Sequence, residues 1–173
     1  MNTDIPKPII ILVRTQLPQN IGSTARAMKN CGLSELRLVE PREKWPNDGA
    51  NSMAAGADDI LKNIKVFDNI PSALSDVIHV FSLTARNRDI TKIEIGPDYA
   101  AKKIYENSTK SEKSAILFGP EQSGLTNDEI AYSNFLVKVP MVENFSSLNL
   151  SQAVLLMSWE WRKLFLKNCL SEN

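Results

Sequence analysis

The chain has 173 residues, of which 43% are hydrophobic and 23% charged, so we expect one globular domain over residues 1–173 rather than a disordered or fibrous protein. Twenty Lys and Arg residues balance twenty Asp and Glu residues, which argues against nucleic-acid binding through bulk positive charge but permits a local basic patch. No apolar run approaches the roughly 18 residues that span a bilayer, and the N-terminus has no signal-peptide pattern. We expect a cytoplasmic protein that does not associate with membranes.

The residue inventory excludes several chemistries. Cys31 and Cys169 are too few for a disulfide framework, and no His, Cys, Asp or Glu cluster has metal-ligand spacing, so we expect no metal. The single histidine, His79, lies within an apolar run and is expected to pack in a sheet rather than to join a catalytic pair. Neither GxGxxG nor GxxxxGK[ST] occurs, which leaves a dinucleotide fingerprint and a P-loop unsupported.

Short apolar runs alternate with helix-like stretches along the chain. The predicted strands are residues 8–13, 36–39, 64–67, 77–83, 115–118 and 135–139. The predicted helices are residues 21–31, 53–62, 71–75, 99–108, 127–133 and 149–167. This alternation predicts an α/β fold around a mostly parallel sheet of about six strands.

The first predicted helix has recognisable ends and a basic stripe. Asn20 is a suitable N-cap and Gly32 a suitable residue after the C-cap. Gly22, Arg26 and Lys29 share one stripe at helical spacing, which is either a solvated basic flank or a binding face that permits close approach.

The last predicted helix carries a sustained apolar stripe, and Ser146 or Ser147 can cap it. Its aromatic residues Trp159 and Trp161 exceed what one helix face against a small sheet requires. They are expected either in the core or at a subunit interface.

Four loops follow predicted strands at the sheet edge where α/β proteins bind ligands: residues 14–20, 84–88, 119–124 and 140–149. Four of the seven arginines lie in or beside these loops, namely Arg14, Arg26, Arg86 and Arg88. If the topology is right, the neutral chain has a local cationic site suited to phosphate contacts.

Three ordered blocks resemble the motifs of the SpoU (TrmH-type) RNA ribose 2′-O-methyltransferases of the SPOUT superfamily. The first is NIGSTARAM at residues 20–28, and the second is LFGPEQSGLT at residues 117–126. The third is VPM at residues 139–141 followed by SSLNLS at residues 146–151. Their order and spacing are those of the family, so the resemblance covers almost the whole chain.

The resemblance implies a Rossmann-like sheet whose C-terminal segment forms a trefoil knot, which physical reasoning alone would not predict because knots are nearly absent from proteins. It also implies an obligate homodimer and S-adenosyl-L-methionine as the cofactor, bound in the knot mainly by backbone groups. The residues that match the cofactor contacts are Leu83, Thr84, Ala85, Gly119, Val139, Ser146, Ser147 and Leu148.

The implied reaction transfers the sulfonium methyl group to a ribose 2′-hydroxyl of RNA. By motif match, Arg26 is the catalytic residue and Asn20 fixes the helix start from which Arg26 projects. Because a free guanidinium is effectively never deprotonated, we expect Arg26 to hold the RNA phosphate and stabilise the developing alkoxide at least as much as it acts as a base. Glu121 and Asn149 match motif positions in which a structural role and a catalytic role are both open.

Within the family, the segments LVRT at 12–15, AAGA at 54–57 and TAR at 84–86 favour the tRNA enzymes that modify cytidine or uridine at anticodon-loop position 32. Those enzymes usually have a C-terminal helical extension, so the chain is either part of a longer protein or a naturally short member. Wobble-position 34 of tRNA and ribosomal RNA are the alternative substrates. A knotted RNA-binding module without turnover is the non-enzymatic alternative.

Overall fold

The computed structural model describes residues 4–85 and 91–170, which form one sheet flanked by helices. The strands are β1 (Ile9–Val13), β2 (Leu36–Val39), β3 (Lys65–Phe67), β4 (His79–Leu83), β5 (Ile93–Ile95), β6 (Ser114–Phe118) and β7 (Phe135–Val137). The helices are α1 (Pro18–Asn30), α2 (Asp48–Ala54), α3 (Asp58–Lys62), α4 (Ile70–Ala73), α5 (Pro97–Thr109), α6 (Asn127–Ile130) and α7 (Leu150–Leu170).

The sheet has the strand order β3-β2-β1-β6-β4-β7-β5, and every neighbouring pair is parallel. The α/β prediction is therefore confirmed, but the predicted count of six strands is wrong, because the described residues form seven. The missed strand, β5, has three residues, and both Ile93 and Glu94 are exposed at the sheet edge. So short and exposed a strand leaves no continuous apolar run in the sequence.

The two faces of the sheet are covered unequally. Ile10 and Leu12 of β1 point into a large core formed with α1, α2, α3, α5 and α7. Ile11 and Val13 point into a smaller core on the other face, where α4 and α6 each provide a single turn. Since alternate side chains face opposite ways, the continuous apolar run in β1 satisfies both cores at once.

Helix α1 begins before the predicted position. Pro18 is its first residue and Leu17 its N-cap, so Asn20 lies within the first turn and the N-cap prediction for Asn20 is wrong. Proline suits this start because it has no N–H group to leave unpaired. The prediction for Gly32 is confirmed: its φ is 77°, and the N–H groups of Gly32 and Leu33 donate to carbonyls in the last turn.

Helix α1 packs tightly against α2. A Cβ on Gly22 would lie 2.0 Å from the carbonyl oxygen of Ala50, so Gly22 is a helix-packing residue and not part of a solvated basic stripe. Lys29, from the same stripe, donates to Asp59 of α3 at 2.9 Å. The helix predicted over residues 53–62 is two helices, because Ala55 and Gly56 both adopt positive φ.

Helix α7 packs against α1 and α5. Its cap is Asn149, whose side-chain oxygen accepts from the N–H of Ser151 at 3.0 Å, rather than Ser146 or Ser147 as predicted. Trp161 is buried and contacts the rings of Tyr105 and Phe165, whereas the side chain of Trp159 is half-exposed. Among the helices in the described part of the chain, none has the length and apolar character needed to cross a bilayer.

Candidate cofactor and RNA site

A cavity of about 310 Å³ opens at the carboxyl ends of β4, β6 and β7. It brings together all of the residues that the motif resemblance assigned to the cofactor, which are Leu83, Thr84, Ala85, Gly119, Val139, Ser146, Ser147 and Leu148. The volume is at the lower end of the range for small-molecule sites. The motif match and the observed topology therefore converge on one concave surface.

Residues 119–126, which we call the cofactor loop, provide one wall of this cavity through residues 119–125. The loop folds back on itself: the N–H of Gly124 donates to the carbonyl of Pro120 at 3.0 Å. A Cβ on Gly119 would lie 2.4 Å from the backbone nitrogen of Leu125, so only glycine fits there. The loop ends at Thr126, which caps α6 through a reciprocal capping box with Glu129.

The chemistry of the cavity wall fits an adenosyl sulfonium compound. Phe118, Leu125 and Leu148 provide apolar surface for a purine ring, and Thr84 and Ser146 provide hydroxyl groups. Of the described residues that line the cavity, Glu121 alone carries a formal charge, and that charge is negative. A lining without Lys or Arg suits a positively charged sulfonium group better than a phosphorylated nucleotide. Within residues 4–85 and 91–170, no group of three or more His, Cys, Asp or Glu side chains is placed to hold a metal ion.

Glu121 joins the cofactor loop to the start of α1. Its carboxylate accepts from the backbone N–H of Gln16 at 2.9 Å and from the side-chain amide of Asn20 at 3.0 Å. The N–H of Leu17 donates to the same group at 3.5 Å. A carboxylate in this position also complements the positive end of the helix dipole. Glu121 and Asn20 therefore make structural contacts with each other, and a catalytic role of Glu121 stays a prediction.

The predicted arginines are placed differently from one another. Arg26 is exposed on α1 and is not among the residues that line the cavity. Arg14 lies at the end of β1, where its guanidinium forms a bidentate pair with Glu129 at 2.7 and 3.0 Å. Arg86 and Arg88 lie outside the described residues.

Sequence reasoning did not find Glu129. The TNDE segment at residues 126–129 is a capping-box pattern that could have indicated the start of α6. It could not have indicated the partner of Glu129, because Arg14 is 115 positions away in the chain. The predicted roles of Asn20 and Arg26 in catalysis stay predictions.

Comparison with known proteins gives a consistent result. The SpoU rRNA Methylase family profile matches residues 7–159. A tRNA (cytidine/uridine/adenosine-2′-O-)-methyltransferase TrmJ from Pseudomonas aeruginosa is 41% identical over 157 residues, which cover 91% of this chain and 61% of that relative. The chain thus spans about three fifths of the length of this curated relative.

Solved structures agree with the sequence comparison. The crystal structure of TrmJ from Z. mobilis ZM4 is 47% identical with a TM-score of 0.86, and the match covers 91% of this chain and 69% of that one. AviRb from Streptomyces viridochromogenes in complex with AdoMet has a TM-score of 0.73 at 15% identity, covering 95% of this chain and 63% of that one, and so shares the fold. On the profile match and these identities, the chain belongs to the SpoU methylase family.

Proposed function

We propose that this chain, as a single catalytic domain, transfers a methyl group from S-adenosyl-L-methionine to a ribose 2′-hydroxyl of tRNA, with cytidine or uridine at anticodon-loop position 32 as the first candidate. The observation that carries the proposal is that all of the motif-matched cofactor residues meet in one cavity. The 41% identity to a tRNA 2′-O-methyltransferase supports tRNA as the substrate class. We place this reaction in the cytoplasm, because the 41% identical relative is a bacterial tRNA-modifying enzyme.

The residues of the cavity account for cofactor binding. The cofactor would supply an electrophilic methyl group on a sulfonium centre. Phe118 and Leu148 would cover the purine, and backbone groups around Gly119 would bind the polar parts. Because the chemistry comes with the cofactor, the protein has to align the ribose hydroxyl and assist the loss of its proton.

We assign to Arg26 the task of assisting the loss of the proton from the ribose hydroxyl. Its side chain is exposed on α1, with the buried residues Ala25 and Ala27 on either side fixing the helix against the core. A guanidinium stays protonated, so Arg26 would bind the neighbouring phosphate and stabilise negative charge on the 2′-oxygen. In this proposal Glu121 and Asn20 set the direction of the helix that carries Arg26.

The first test is transfer of labelled methyl to unmodified tRNA, followed by mapping of the modified ribose. Removal of Arg26 with Arg26→Ala should lower the rate by about 100-fold or more while S-adenosylhomocysteine still binds. Lys102→Ala, which removes an exposed cation from α5, is the matched control and should retain full activity. An Arg26→Ala protein with full methyl transfer would contradict the assignment.

The same assay separates the alternative substrates. Label at position 34 would support the wobble-position alternative, and label only on ribosomal RNA would replace tRNA as the substrate. Cofactor binding without transfer to either RNA would support a binding module. A protein that binds no S-adenosylhomocysteine would overturn the proposed function as a whole.

We also propose that the chain acts as a homodimer. Leu155 and Trp159 are 41% and 50% exposed beside a shallow groove on α7, and Phe145 in the segment before α7 is 83% exposed. Apolar surface of this kind is typical of subunit interfaces. Sedimentation velocity should give the mass of a dimer, and Leu155→Asp with Trp159→Asp should give a monomer. A monomeric wild-type protein at micromolar concentration would contradict this proposal.

A further inference from the structure

Residues 14–20, which join β1 to the first turn of α1, are held at two points by one carboxylate in the cofactor loop and one just beyond it. Glu121, near the start of that loop, binds Gln16 and Asn20. Glu129, just beyond its end, binds Arg14. The cofactor loop and the start of α1 are therefore fixed relative to each other from both ends of the loop.

The contact between Arg14 and Glu129 has the geometry of a strong ion pair. Both carboxylate oxygens are used, at 2.7 and 3.0 Å, and the Glu129 side chain is only 15% exposed. Glu129 is itself fixed, since its carboxylate also accepts from the N–H of Thr126 at 2.7 Å. The hydrogen bond to Glu129 raises the pKa of Arg14, which is the direction that a close carboxylate produces. Burial raises the pKa of Glu129, but the hydrogen bonds from Arg14 and Thr126 lower it by more, so the net shift of the pKa is downward.

The backbone of Arg14 is consistent with a fixed position. Its φ is 53°, a conformation that costs a non-glycine residue about 1 kcal/mol and persists only where the surroundings enforce it. The N–H of Arg14 donates to the carbonyl of Val39 at 2.8 Å. Main chain and side chain are thus both anchored, one to β2 and the other to α6.

These contacts weigh against the phosphate-binding role that the sequence indicated for Arg14. Nε and one terminal nitrogen are both committed to Glu129, and the carboxylate compensates the charge of the guanidinium. An arginine that binds RNA phosphate would instead present its fork to solvent.

We propose that Arg14 is a positioning residue, which through Glu129 holds residues 14–20 against the cofactor loop and so preforms the cofactor cavity. The inference rests on the proposed function, because the cavity is the same one. Its physical basis is conformational entropy: a loop that is already ordered does not have to be ordered when the cofactor binds.

The test uses three single variants and one double variant. Arg14→Gln removes the charge, Arg14→Lys keeps the charge but cannot form the bidentate pair, and Glu129→Gln breaks the pair while leaving a residue that still serves in a capping box. The double variant combines Arg14→Gln with Glu129→Gln. Lys29→Gln, which breaks the pair between Lys29 at the end of α1 and Asp59 of α3, is the matched control for loss of an ion pair away from residues 14–20.

Binding of S-adenosylhomocysteine is measured by calorimetry, and binding of unmodified tRNA is measured over a range of salt concentrations. We expect each Arg14 and Glu129 variant to bind S-adenosylhomocysteine about tenfold more weakly. The double variant should be no worse than either single, because both remove the same contact. The salt dependence of tRNA binding should not change, and Lys29→Gln should behave as wild type.

Steady-state kinetics separate positioning from a loss of folding. A protein that folds less completely has a smaller active fraction, which lowers kcat and leaves KM unchanged. A positioning role raises KM for S-adenosyl-L-methionine by about tenfold and leaves kcat at saturation within about twofold.

Two results would overturn the inference about Arg14 and leave the proposed function unaffected. The first is wild-type cofactor affinity in all of the variants. The second is wild-type cofactor affinity in Arg14→Lys together with weaker salt dependence of tRNA binding in Arg14→Gln. A plot of the logarithm of the tRNA binding constant against the logarithm of the salt concentration would then be less steep by about 0.7 to 0.9, which would identify a phosphate contact. A wild-type protein that binds no S-adenosylhomocysteine would overturn the proposed function, and the role of Arg14 with it.

Discussion

The two ends of the parallel strands use charged residues in different ways. We call the side of the sheet on which the strands begin the amino edge and the side on which they end the carboxyl edge. At the amino edge, the buried Arg37 of β2 binds the carboxylate of Asp76 at 2.6 and 2.8 Å and that of Glu35 at 2.7 Å. Lys113 adds a further contact to Asp76 at 3.1 Å, and His79 contacts Glu112 at 2.5 Å. The positive charges of Arg37 and Lys113 are compensated there by carboxylates of neighbouring segments, which closes this edge.

At the carboxyl edge, the acids bind loops. Glu121 accepts mainly backbone and amide N–H groups, and Glu129 divides its carboxylate between Arg14 and a helix cap. The cofactor cavity stays open between these loops. The comparison indicates that ion pairs between neighbouring elements close the amino edge, whereas at the carboxyl edge the Glu121 carboxylate and the pair of Arg14 with Glu129 hold loops around an open cavity.

The largest expected effect comes from adding a single methyl group inside the cofactor loop, at the carboxyl edge. In Gly119→Ala, the new Cβ would lie within 2.5 Å of the backbone of Gly124 and Leu125, and a backbone cannot move aside as a flexible side chain can. The cofactor loop would have to open, and we expect S-adenosylhomocysteine to bind about 100-fold more weakly by calorimetry.

Gly124→Ala is the control for that change. A Cβ on Gly124 meets no atom within 4 Å, but its φ is 68°, so the substitution introduces strain of about 1 kcal/mol without a clash. Its affinity should fall by about fivefold. Equal affinities of the two variants would contradict the packing argument for Gly119.

A smaller effect is expected away from both edges, where α1 packs on α2. Alanine in place of a helical glycine usually stabilises a helix by about 1 kcal/mol. In Gly22→Ala, however, the Cβ would lie 2.0 Å from the carbonyl oxygen of Ala50, and overpacking of this kind costs about 1–3 kcal/mol. We expect a net loss in the free energy of unfolding, measured by urea denaturation. Ser23→Ala in the same helix should cause no loss, and a stabilised Gly22→Ala protein would contradict the close approach.

The sequence predicts those regions in which burial or a motif leaves a local pattern of residues. Strand β1 was predictable because its side chains enter two cores, which produces an unbroken apolar run. The members of the cavity were predictable from motif resemblance, since ordered motifs identify residues even where the distances between them are unknown. Strand β5 was not predictable, because exposed edge residues leave no such pattern.

The contacts that shape the site were not predictable either. Arg14 looked like a phosphate ligand because a lone arginine in a loop gives no sign of a partner 115 positions away. Asn149 was overlooked as the cap of α7 in favour of two nearby serines, since all of these residue types cap helices equally well and only the backbone decides. Long-range pairing and exact helix starts depend on tertiary structure.

The smallest expected effect is a pH-dependent one at the closed edge. Hydrogen bonding from Arg37, supported by Lys113, holds the pKa of Asp76 well below its usual range, although burial opposes this. A carboxyl with a lowered pKa in the folded state stabilises the protein above its unfolded pKa of about 3.9, and this contribution is lost as the pH falls further. Because Asp76 is 41% exposed, the contribution at pH 7 should be no more than about 1 kcal/mol.

Thermal unfolding of wild type and Asp76→Asn between pH 7 and pH 3 measures this contribution. The wild-type melting temperature should exceed that of Asp76→Asn by about 2–4 °C at pH 7, and the difference should shrink as the pH falls below about 4. Asp68→Asn, at an exposed acid for which the structure records no ion pair, is the control and should show no comparable difference at pH 7. A difference for Asp76→Asn that stays constant down to pH 3 would mean that the amino edge depends on the shape of the Asp76 side chain rather than its charge, and the contrast between the two edges would then rest on the carboxyl edge alone.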